Sequence, residues 1–346
     1  MEDAHEQSFI GLGLFACACS VRGASHAREE TPCQDAYALF AASDDGKPLI
    51  LAIADGHGDA RHDQSQFGSR FAVGAAVDEL SDLFVEFTPA DTRVRNTRSH
   101  WGWASAHLLD PVRELLARRW SQADRRPPEV FRKSYSHLAH SFGTDFPRRL
   151  QRWWNELVRT DSESRGLNTG SAAEDESVFS RYGTTLLVAM VTPELLLLGQ
   201  LGDGDLLLVG PDGTVESPLP RAPDLIGNST YSLSTSDAPR LWVTACIARP
   251  RAGLLLLSSD GLANSFASDE SFYQFARSLR SRIREFGAEA VASQLRGWLE
   301  RYSEEGSGDD ITIALVDFTE EMSVAAGGPS TEDSPSCEPD AIGGSE

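Results

Sequence analysis

Strand-like apolar runs with a carboxylate at one end are the main pattern of this sequence. There are three of them: 49–54 before Asp55, 254–259 before Asp260, and 311–316 after Asp309 and Asp310. Such continuous runs predict strands that are covered on both faces. A carboxylate at the end of a buried strand is costly unless it is paired, protonated or bound to a cation. If these Asp residues converge, they therefore indicate a metal site.

The remaining pattern predicts a sandwich of two antiparallel sheets between helices. Segments 9–21 and 36–54 predict early strands of one sheet, and segment 183–217 predicts a β-meander. Because the Leu runs need cover on both faces, two sheets should pack together with helices outside them. Apolar residues recur at helical spacing in 67–80 and in two segments after Asp260. We expect an α+β fold with α-β-β-α layers.

Between about residues 90 and 181 helical spacing replaces the strand pattern, which predicts a helical insertion. Five of the seven Trp residues lie there, and segment 91–160 carries 14 Lys or Arg against 7 Asp or Glu. The favoured interpretation is an amphipathic cap whose Trp residues pack on the sandwich. The alternative is a docking surface for acidic or phosphorylated partners. The polar run 161–177 predicts a mobile loop.

Composition and net charge exclude some classes of protein and indicate a compartment. The chain has 346 residues, 40% of them hydrophobic, and its net charge of −21 argues against binding to nucleic acid or an anionic membrane. Five cysteines without CxxC spacing favour a reducing compartment. The acidic N-terminus and the short apolar stretch after it do not match a signal peptide or a membrane span, so we expect a cytoplasmic protein. The acidic segment 321–346, rich in Ser, Gly and Pro, is expected to be a disordered tail.

The three carboxylates lack a Cys or His cluster beside them, so the predicted ligand set is all oxygen. Such a set suits Mg²⁺ or Mn²⁺ and disfavours zinc. Gly56 fits this hypothesis because its carbonyl, free of a side chain, can turn toward a cation beside Asp55. Two such ions sharing a water would supply a nucleophile for phosphate-ester hydrolysis. The sequence contains neither the Cys-to-Arg spacing of cysteine phosphatases nor a nucleotide P-loop.

Six short motifs in order resemble the metal-dependent protein phosphatases, the type 2C serine/threonine phosphatases. Spread over residues 9–318, they are Gln34-Asp35, Asp55-Gly56-His57-Gly58, Gly183-Thr184-Thr185, Gly202-Asp203-Gly204, Ser259-Asp260-Gly261 and Asp309-Asp310-Ile311-Thr312. Each motif alone is weak, whereas six in order are specific. Ser25-His26 followed by Cys33-Gln34-Asp35 is similar to the bacterial branch of this family.

The resemblance implies one phosphatase domain over residues 1–320, a β-sandwich flanked by helices, with a two-metal site at one edge. Asp55 would bridge both ions, and the Gly56 carbonyl would bind one of them. Asp260 and Asp309 would bind the other ion.

Three further Asp and His roles are implied by the resemblance. Asp35 would hold metal-bound waters from behind the ligands. Asp203 would join Asp260 at a weaker third ion, and the alternative for Asp203 is an ordinary hairpin turn. His57 would be the general acid that protonates the leaving alkoxide, and the alternative is a turn residue hydrogen-bonded to a carbonyl.

The sequence departs from the family pattern in two places. Many members carry an Arg that grips the substrate phosphate, and the spacing leaves His26 and Arg28 as the chosen candidates with Arg22 as a third. Some members have Glu where this chain has Gln34, which supplies no charge, so one ion would be held less tightly.

The resulting hypothesis is a cytoplasmic, Mg²⁺- or Mn²⁺-dependent phosphatase that removes phosphate from Ser or Thr of proteins. The expected partner is a phosphorylated protein, either a serine/threonine kinase or the targets of such a kinase, with neither nucleic acid nor membrane involved. Two alternatives stay open. One is a pseudophosphatase that binds phosphoproteins as a scaffold, and the other is a phosphate monoesterase acting on small molecules.

Overall fold

The computed structural model describes residues 4–11, 14–42, 48–87, 109–123, 135–167, 172–220 and 230–318. Its strands are β1 (Ala4–Gly11), β2 (Leu14–Val21), β3 (Ala36–Ala41), β4 (Leu49–Ala54), β5 (Leu186–Val191), β6 (Leu195–Leu201), β7 (Asp205–Val209), β8 (Val215–Glu216), β9 (Val243–Ala248), β10 (Gly253–Ser258) and β11 (Ile311–Phe318). Its α-helices are α1 (Ala24–Arg28), α2 (Ser65–Phe87), α3 (Asp110–Ala123), α4 (Tyr135–Thr144), α5 (Phe146–Ser164), α6 (Ala172–Arg181), α7 (Ala238–Leu241), α8 (Asp260–Ala263), α9 (Asp269–Phe286) and α10 (Ala288–Tyr302).

The strands form two antiparallel sheets. The first sheet has the order β1-β2-β11-β10-β7-β8, and the second has the order β3-β4-β5-β6-β9. Side chains alternate between the two faces of each strand. In β10, for example, Leu255 and Leu257 face the core between the sheets, whereas Leu254 and Leu256 face helices. Both faces are buried, which explains the continuous Leu run.

Helices cover the outer face of each sheet, so the predicted α-β-β-α layers are confirmed. The second sheet is covered by α2 together with α4 and α5, and the first sheet by α9 and α10. Local signals start these helices where they do. Pro147 lies in the first turn of α5, and the Ser268 hydroxyl accepts a hydrogen bond from the Ser271 amide at the start of α9.

The described helices of the insertion form a cap on the second sheet and on the helix that covers it: α4 packs on β6 and β9, and α5 packs on α2. Trp153 and Trp154 are buried there, and the Trp154 indole donates a hydrogen bond to the Gly68 carbonyl (2.9 Å). Residues 88–108 and the tail predicted at 321–346 lie outside the described residues. Among the helices that the structure describes, none combines the length and apolar character needed to cross a bilayer.

Two predictions about strand neighbours are wrong. The early strands do not share one sheet, because β1 and β2 belong to the first sheet and β3 and β4 to the second. Likewise β7 leaves the predicted β-meander and pairs with β10 in the first sheet. The chain changes sheet at Gly202, whose φ of 109° is open to glycine at little cost. Runs that are buried on both faces look alike in either sheet, so the sequence pattern does not distinguish them.

The prediction of a mobile loop at 161–177 is also wrong, at both ends of the segment. Helix α5 continues to Ser164, and α6 begins at Ala172. The carboxylate of Asp161 is fully buried and accepts hydrogen bonds from the Arg165 guanidinium (2.6 Å) and the Tyr182 hydroxyl (2.8 Å). The first part of this polar run is therefore helical rather than a loop, because its buried acid is hydrogen-bonded to Arg165 and Tyr182.

The crossings between the sheets bring many strand ends to one edge of the sandwich. The register pairs Ala36 with Ala54 in the second sheet, and Val21 with Ile311 in the first. Residues just beyond these ends, including the acidic motifs, therefore meet at the same edge.

We predict opposite effects for two Gly-to-Ala substitutions in helices. A Cβ at Gly68 would overlap the carbonyl of Tyr182, whereas a Cβ at Gly297 in α10 would meet open space. Gly68→Ala should lower the free energy of unfolding by about 1–3 kcal/mol through overpacking. Gly297→Ala should raise it by up to about 1 kcal/mol through helix propensity. Urea unfolding measures both, and equal effects would contradict the close contact between α2 and Tyr182.

Candidate functional site

A cavity of about 1150 Å³ opens at the edge where the strand ends meet. Most of the predicted site residues line it, namely His26, Asp55, Gly56, His57, Asp203, Asp260 and Asp309. Asp35 is buried and does not line the cavity. Arg28 is exposed on α1 and also lies outside the cavity wall. The structure thus brings together all of the predicted metal ligands and separates the two predicted phosphate-binding residues.

The motif Gly183-Thr184-Thr185 holds the turn that carries Asp55. The Asp55 carbonyl accepts hydrogen bonds from the Thr184 hydroxyl and the Thr185 amide, each at 2.8 Å. The Asp55 amide donates to the Thr185 hydroxyl (3.1 Å), and the His57 amide donates to the Gly183 carbonyl (3.1 Å). Two chain segments that are distant in sequence therefore fix the acidic turn at the end of β4.

Two glycines in these motifs are required by close packing. A Cβ at Gly56 would lie 2.7 Å from the Gln34 carbonyl oxygen. A Cβ at Gly183 would lie 2.6 Å from the Cδ2 atom of His57. Both distances are well below normal van der Waals contact, so any side chain would displace the turn that carries Asp55.

The adjacent residues Asp309 and Asp310 have different environments. Asp310 is 3% exposed, and its carboxylate accepts hydrogen bonds from the amides of Gly23 (2.6 Å) and Gln34 (2.7 Å). The Nδ1 atom of His26 lies 2.9 Å from the same carboxylate, and this contact raises the pKa of His26. The Asp309 side chain is 49% exposed and lines the cavity. Sequence reasoning missed the anchoring role of Asp310, although the alternation of side chains in an extended chain was an available signal.

Asp35 and Asp260 are also held by neighbours. The Ser259 hydroxyl donates to Asp35 (2.7 Å) and accepts from the Thr312 amide (2.9 Å). The Asn264 side-chain amide donates to the Asp260 carboxylate (3.1 Å) at the start of α8. Asp35 is thereby tied to the segment that carries Asp260.

The carboxylates at this edge repel one another. Burial raises the pKa of Asp55, and the charges of Asp35, Asp260 and Asp309 raise it further. Burial followed by the charge of Asp203 raises the pKa of Asp260. Raised values of this kind mean that the ionised groups lack a compensating positive charge.

Oxygen donors with uncompensated negative charge fit a hard divalent cation such as Mg²⁺ or Mn²⁺. In the described part of the chain, however, no three His, Cys, Asp or Glu side chains are already arranged as ligands of one metal ion. The residues therefore fit a cation by their chemistry, while their present arrangement is not a closed ligand shell.

His57 is half-buried beside a second imidazole. Burial, with the neighbouring His62, lowers the pKa of His57 to about 4, so it is neutral at neutral pH. The two rings meet edge to face with centroids 4.9 Å apart, and the Nδ1 atom of His62 contacts the Ser180 carbonyl. A general acid must carry the proton that it donates. In this environment alone His57 is neutral and therefore lacks the protonated state that the predicted role requires.

The three candidates for the phosphate contact differ in availability. The Arg22 guanidinium donates to the carbonyls of Thr31 (2.7 Å) and His26 (3.0 Å), which holds the segment around α1. Arg28 donates to the Ser25 hydroxyl (3.0 Å). Only His26 of the three lines the cavity. Arg61, which sequence reasoning missed, lines it as well.

A comparison with protein-family sequence models finds that the model described as Protein phosphatase 2C matches residues 22–300. Because the match covers well over half of the sequence, the chain belongs to the protein phosphatase 2C family. The resemblance stated from the motifs is thereby confirmed. Membership supports metal-dependent protein phosphatase activity and implies phosphoprotein substrates. No curated protein matches the chain.

Several solved structures are similar to the chain at low identity. RsbX in complex with magnesium is 16% identical, with 90% of this chain and 99% of that chain covered and a TM-score of 0.44. The catalytic domain of the serine/threonine phosphatase PstP with two manganese ions is 16% identical, with 91% and 96% covered and a TM-score of 0.45. Stp1 from Staphylococcus aureus is 14% identical, with 92% and 95% covered and a TM-score of 0.45. The family assignment rests on the sequence match alone.

We predict that a divalent cation stabilises the folded protein through Asp55. With EDTA, Asp55→Asn should raise the melting temperature, because it removes one of the repelling charges. With Mn²⁺ the parent protein should gain about 2.7 kcal/mol at a concentration a hundredfold above Kd, and the variant should gain less. Thermal unfolding measures both.

The control for this measurement is Glu194→Gln, which changes an exposed acid in the turn after β5, at the opposite end of that strand from the cavity. Its response to Mn²⁺ should equal that of the parent. If Mn²⁺ does not change the melting temperature of the parent protein, this result would contradict a cation site at this edge.

Proposed function

We propose that this chain removes phosphate from phosphoserine and phosphothreonine in proteins, using water activated by two Mg²⁺ or Mn²⁺ ions. One observation carries the proposal. The carboxylates of Asp55, Asp260 and Asp309 come from three separate strand ends, line one cavity and lack a compensating cation. Family membership supports the class of activity.

The metal ligands would be the residues at the strand ends. Asp55 and the Gly56 carbonyl would hold one ion, and Asp55 would share in the second with Asp260 and Asp309. Asp203, which is exposed in the turn between β6 and β7, would contribute to a weaker third ion. When bound, the ions lower the pKa of a water molecule and neutralise charge on the phosphoryl group.

Asp35 would orient the water at the site without touching the substrate. It is buried and tied to Ser259, directly before Asp260, so its position follows that of the proposed ligand. Groups that orient ligands in this way typically change metal affinity or activity about 10- to 100-fold when they are removed.

His57 would donate the proton to the leaving alkoxide. Its backbone is fixed by the bond to Gly183, and its ring lies in the cavity wall. A bound phosphate dianion beside the imidazole favours the protonated form, which offsets the burial that lowers the pKa of His57. His26 would be one phosphate contact near Asp309, while Arg28 lies outside the cavity wall.

The extended wall of the cavity favours a protein substrate over a small metabolite. The cavity has a volume of about 1150 Å³, close to the upper end of the range of about 300–1,000 Å³ that is usual for sites of small ligands. Beyond the carboxylates its wall continues through Tyr231, Ser232 and Thr235 to Val243 at the start of β9. A phosphorylated side chain with its flanking residues fits such an extended surface, and a serine/threonine kinase or its targets would supply it.

We predict Mn²⁺-dependent turnover that requires the strand-end carboxylates. The parent should hydrolyse a phosphothreonine peptide with Mn²⁺ and lose this activity in EDTA. Asp55→Asn and Asp260→Asn should each lower kcat/KM at least about 100-fold, because each removes a proposed metal ligand. Glu194→Gln should retain the parent rate.

Three other outcomes of this assay would change the proposed function. A parent that binds the phosphopeptide but does not turn it over with Mn²⁺ would contradict the enzyme and support a pseudophosphatase. Faster hydrolysis of sugar or nucleotide phosphates than of phosphopeptides would support a small-molecule phosphatase. Undiminished turnover in EDTA would contradict metal dependence.

A further inference from the structure

The cavity is rich in negative charge and poor in fixed positive charge. Its wall holds the carboxylates of the proposed ligands and also Asp59, Asp205 and Asp269. A phosphate dianion that approaches this surface needs a cation beyond the metal ions. Among the Lys and Arg residues that the structure describes, Arg61 is the one that lines the cavity.

Arg61 lies on a short turn that follows the Asp55–Gly58 motif. The turn, Ala60–His62, is a 3₁₀ helix whose first amides are capped by Asp59, with the Arg61 amide donating to the Asp59 carboxylate (2.9 Å). The His62 amide donates to the Asp59 carbonyl (2.8 Å), and the His62 ring contacts the Ser180 carbonyl. The backbone of Arg61 is therefore fixed relative to the acidic turn.

Hydrogen bonds to Asp59 orient the Arg61 side chain but occupy only some of its N–H donors. Its Nε atom donates to Asp59 Oδ1 (3.0 Å) and its Nη2 atom reaches Asp59 Oδ2 (3.4 Å), while the side chain is 79% exposed. A guanidinium has five N–H donors, so the Nη1 edge stays available to a ligand. An exposed ion pair of this kind is weak and does not prevent the guanidinium from turning to a phosphate.

The other arginines near the first acidic motif are less suitable. Arg22 is occupied by two backbone carbonyls, and Arg28 lies outside the cavity wall. Neither residue lines the cavity, so neither is placed at a phosphate bound there.

We infer that Arg61 contacts the phosphate group of the substrate at the cavity wall and that Asp59 orients it for this contact. The planar fork of a guanidinium matches two phosphate oxygens, which a single imidazole does not. This inference rests on the proposed function, because it adds Arg61 to His26 as a phosphate contact at the same site.

The test compares the parent with Arg61→Ala and Arg61→Lys in Mn²⁺. Arg61→Ala should lower kcat/KM roughly 10- to 100-fold for a phosphothreonine peptide and for an aryl phosphate alike, because both present the same phosphate. It should also raise the inhibition constant of inorganic phosphate by a similar factor. Arg61→Lys should recover part of the loss, since it keeps the charge without the fork.

Arg296→Ala is the matched control. Arg296 on α10 is also an exposed arginine whose Nε atom donates to an acid, Glu300, at 2.9 Å, and it lies outside the cavity wall. This variant should behave as the parent in every measurement. The Mn²⁺-induced rise in melting temperature should be the same in all variants, because Arg61 is not a metal ligand.

Three results would overturn the inference. They are parent-like constants in Arg61→Ala, a loss confined to the peptide substrate, and a loss of the Mn²⁺-induced stabilisation in Arg61→Ala. Arg28→Ala serves as the rival variant, and a loss found there instead would also overturn it. If the parent itself lacks turnover, the proposed function fails, and calorimetric binding of inorganic phosphate to the Mn²⁺-loaded parent and Arg61→Ala decides the inference. Equal affinities, or no binding by either, would then reject it.

Discussion

Mutual repulsion among carboxylates at one edge of the sandwich is the constraint on which the site depends. Burial and neighbouring charge raise the pKa values of Asp35, Asp55 and Asp260 together, so these groups stay close only because the backbone holds them there. Two amides bind Asp310, and Thr185 holds the turn at Asp55. Two sheets packed through Leu-rich strands supply the stiffness that such anchoring needs.

The sequence pattern predicted the strands and the site more reliably than the arrangement of strands. An apolar run that ends in Asp places a charged side chain next to a buried strand. Because these residues are adjacent in the chain, this costly arrangement can be recognised from the sequence. The sheet to which a strand belongs depends on residues that are distant in the sequence. β3 and β7 carry the same apolar signal as their neighbours in the other sheet, and only the crossings at 22–35 and 202–204 decide where they pair.

Residues that act through tertiary contacts were the hardest to predict. Asp309 and Asp310 are adjacent and chemically identical, yet one lines the cavity and the other ties Gly23 and Gln34 together. Arg61 lies on a single 3₁₀ turn, which is too short to leave a periodic signal. In each case the role depends on which distant segment packs alongside.

The buried contact between Asp161 and Tyr182 has a consequence for how the helical insertion relates to the rest of the protein. Tyr182 directly precedes Gly183, whose carbonyl holds the His57 amide, so α5 is connected to the acidic turn through one side chain and two peptide units. The insertion is thus part of the scaffold of the site. A version of this protein trimmed to its sandwich would need a new support for Tyr182, even though no residue of α5 lines the cavity.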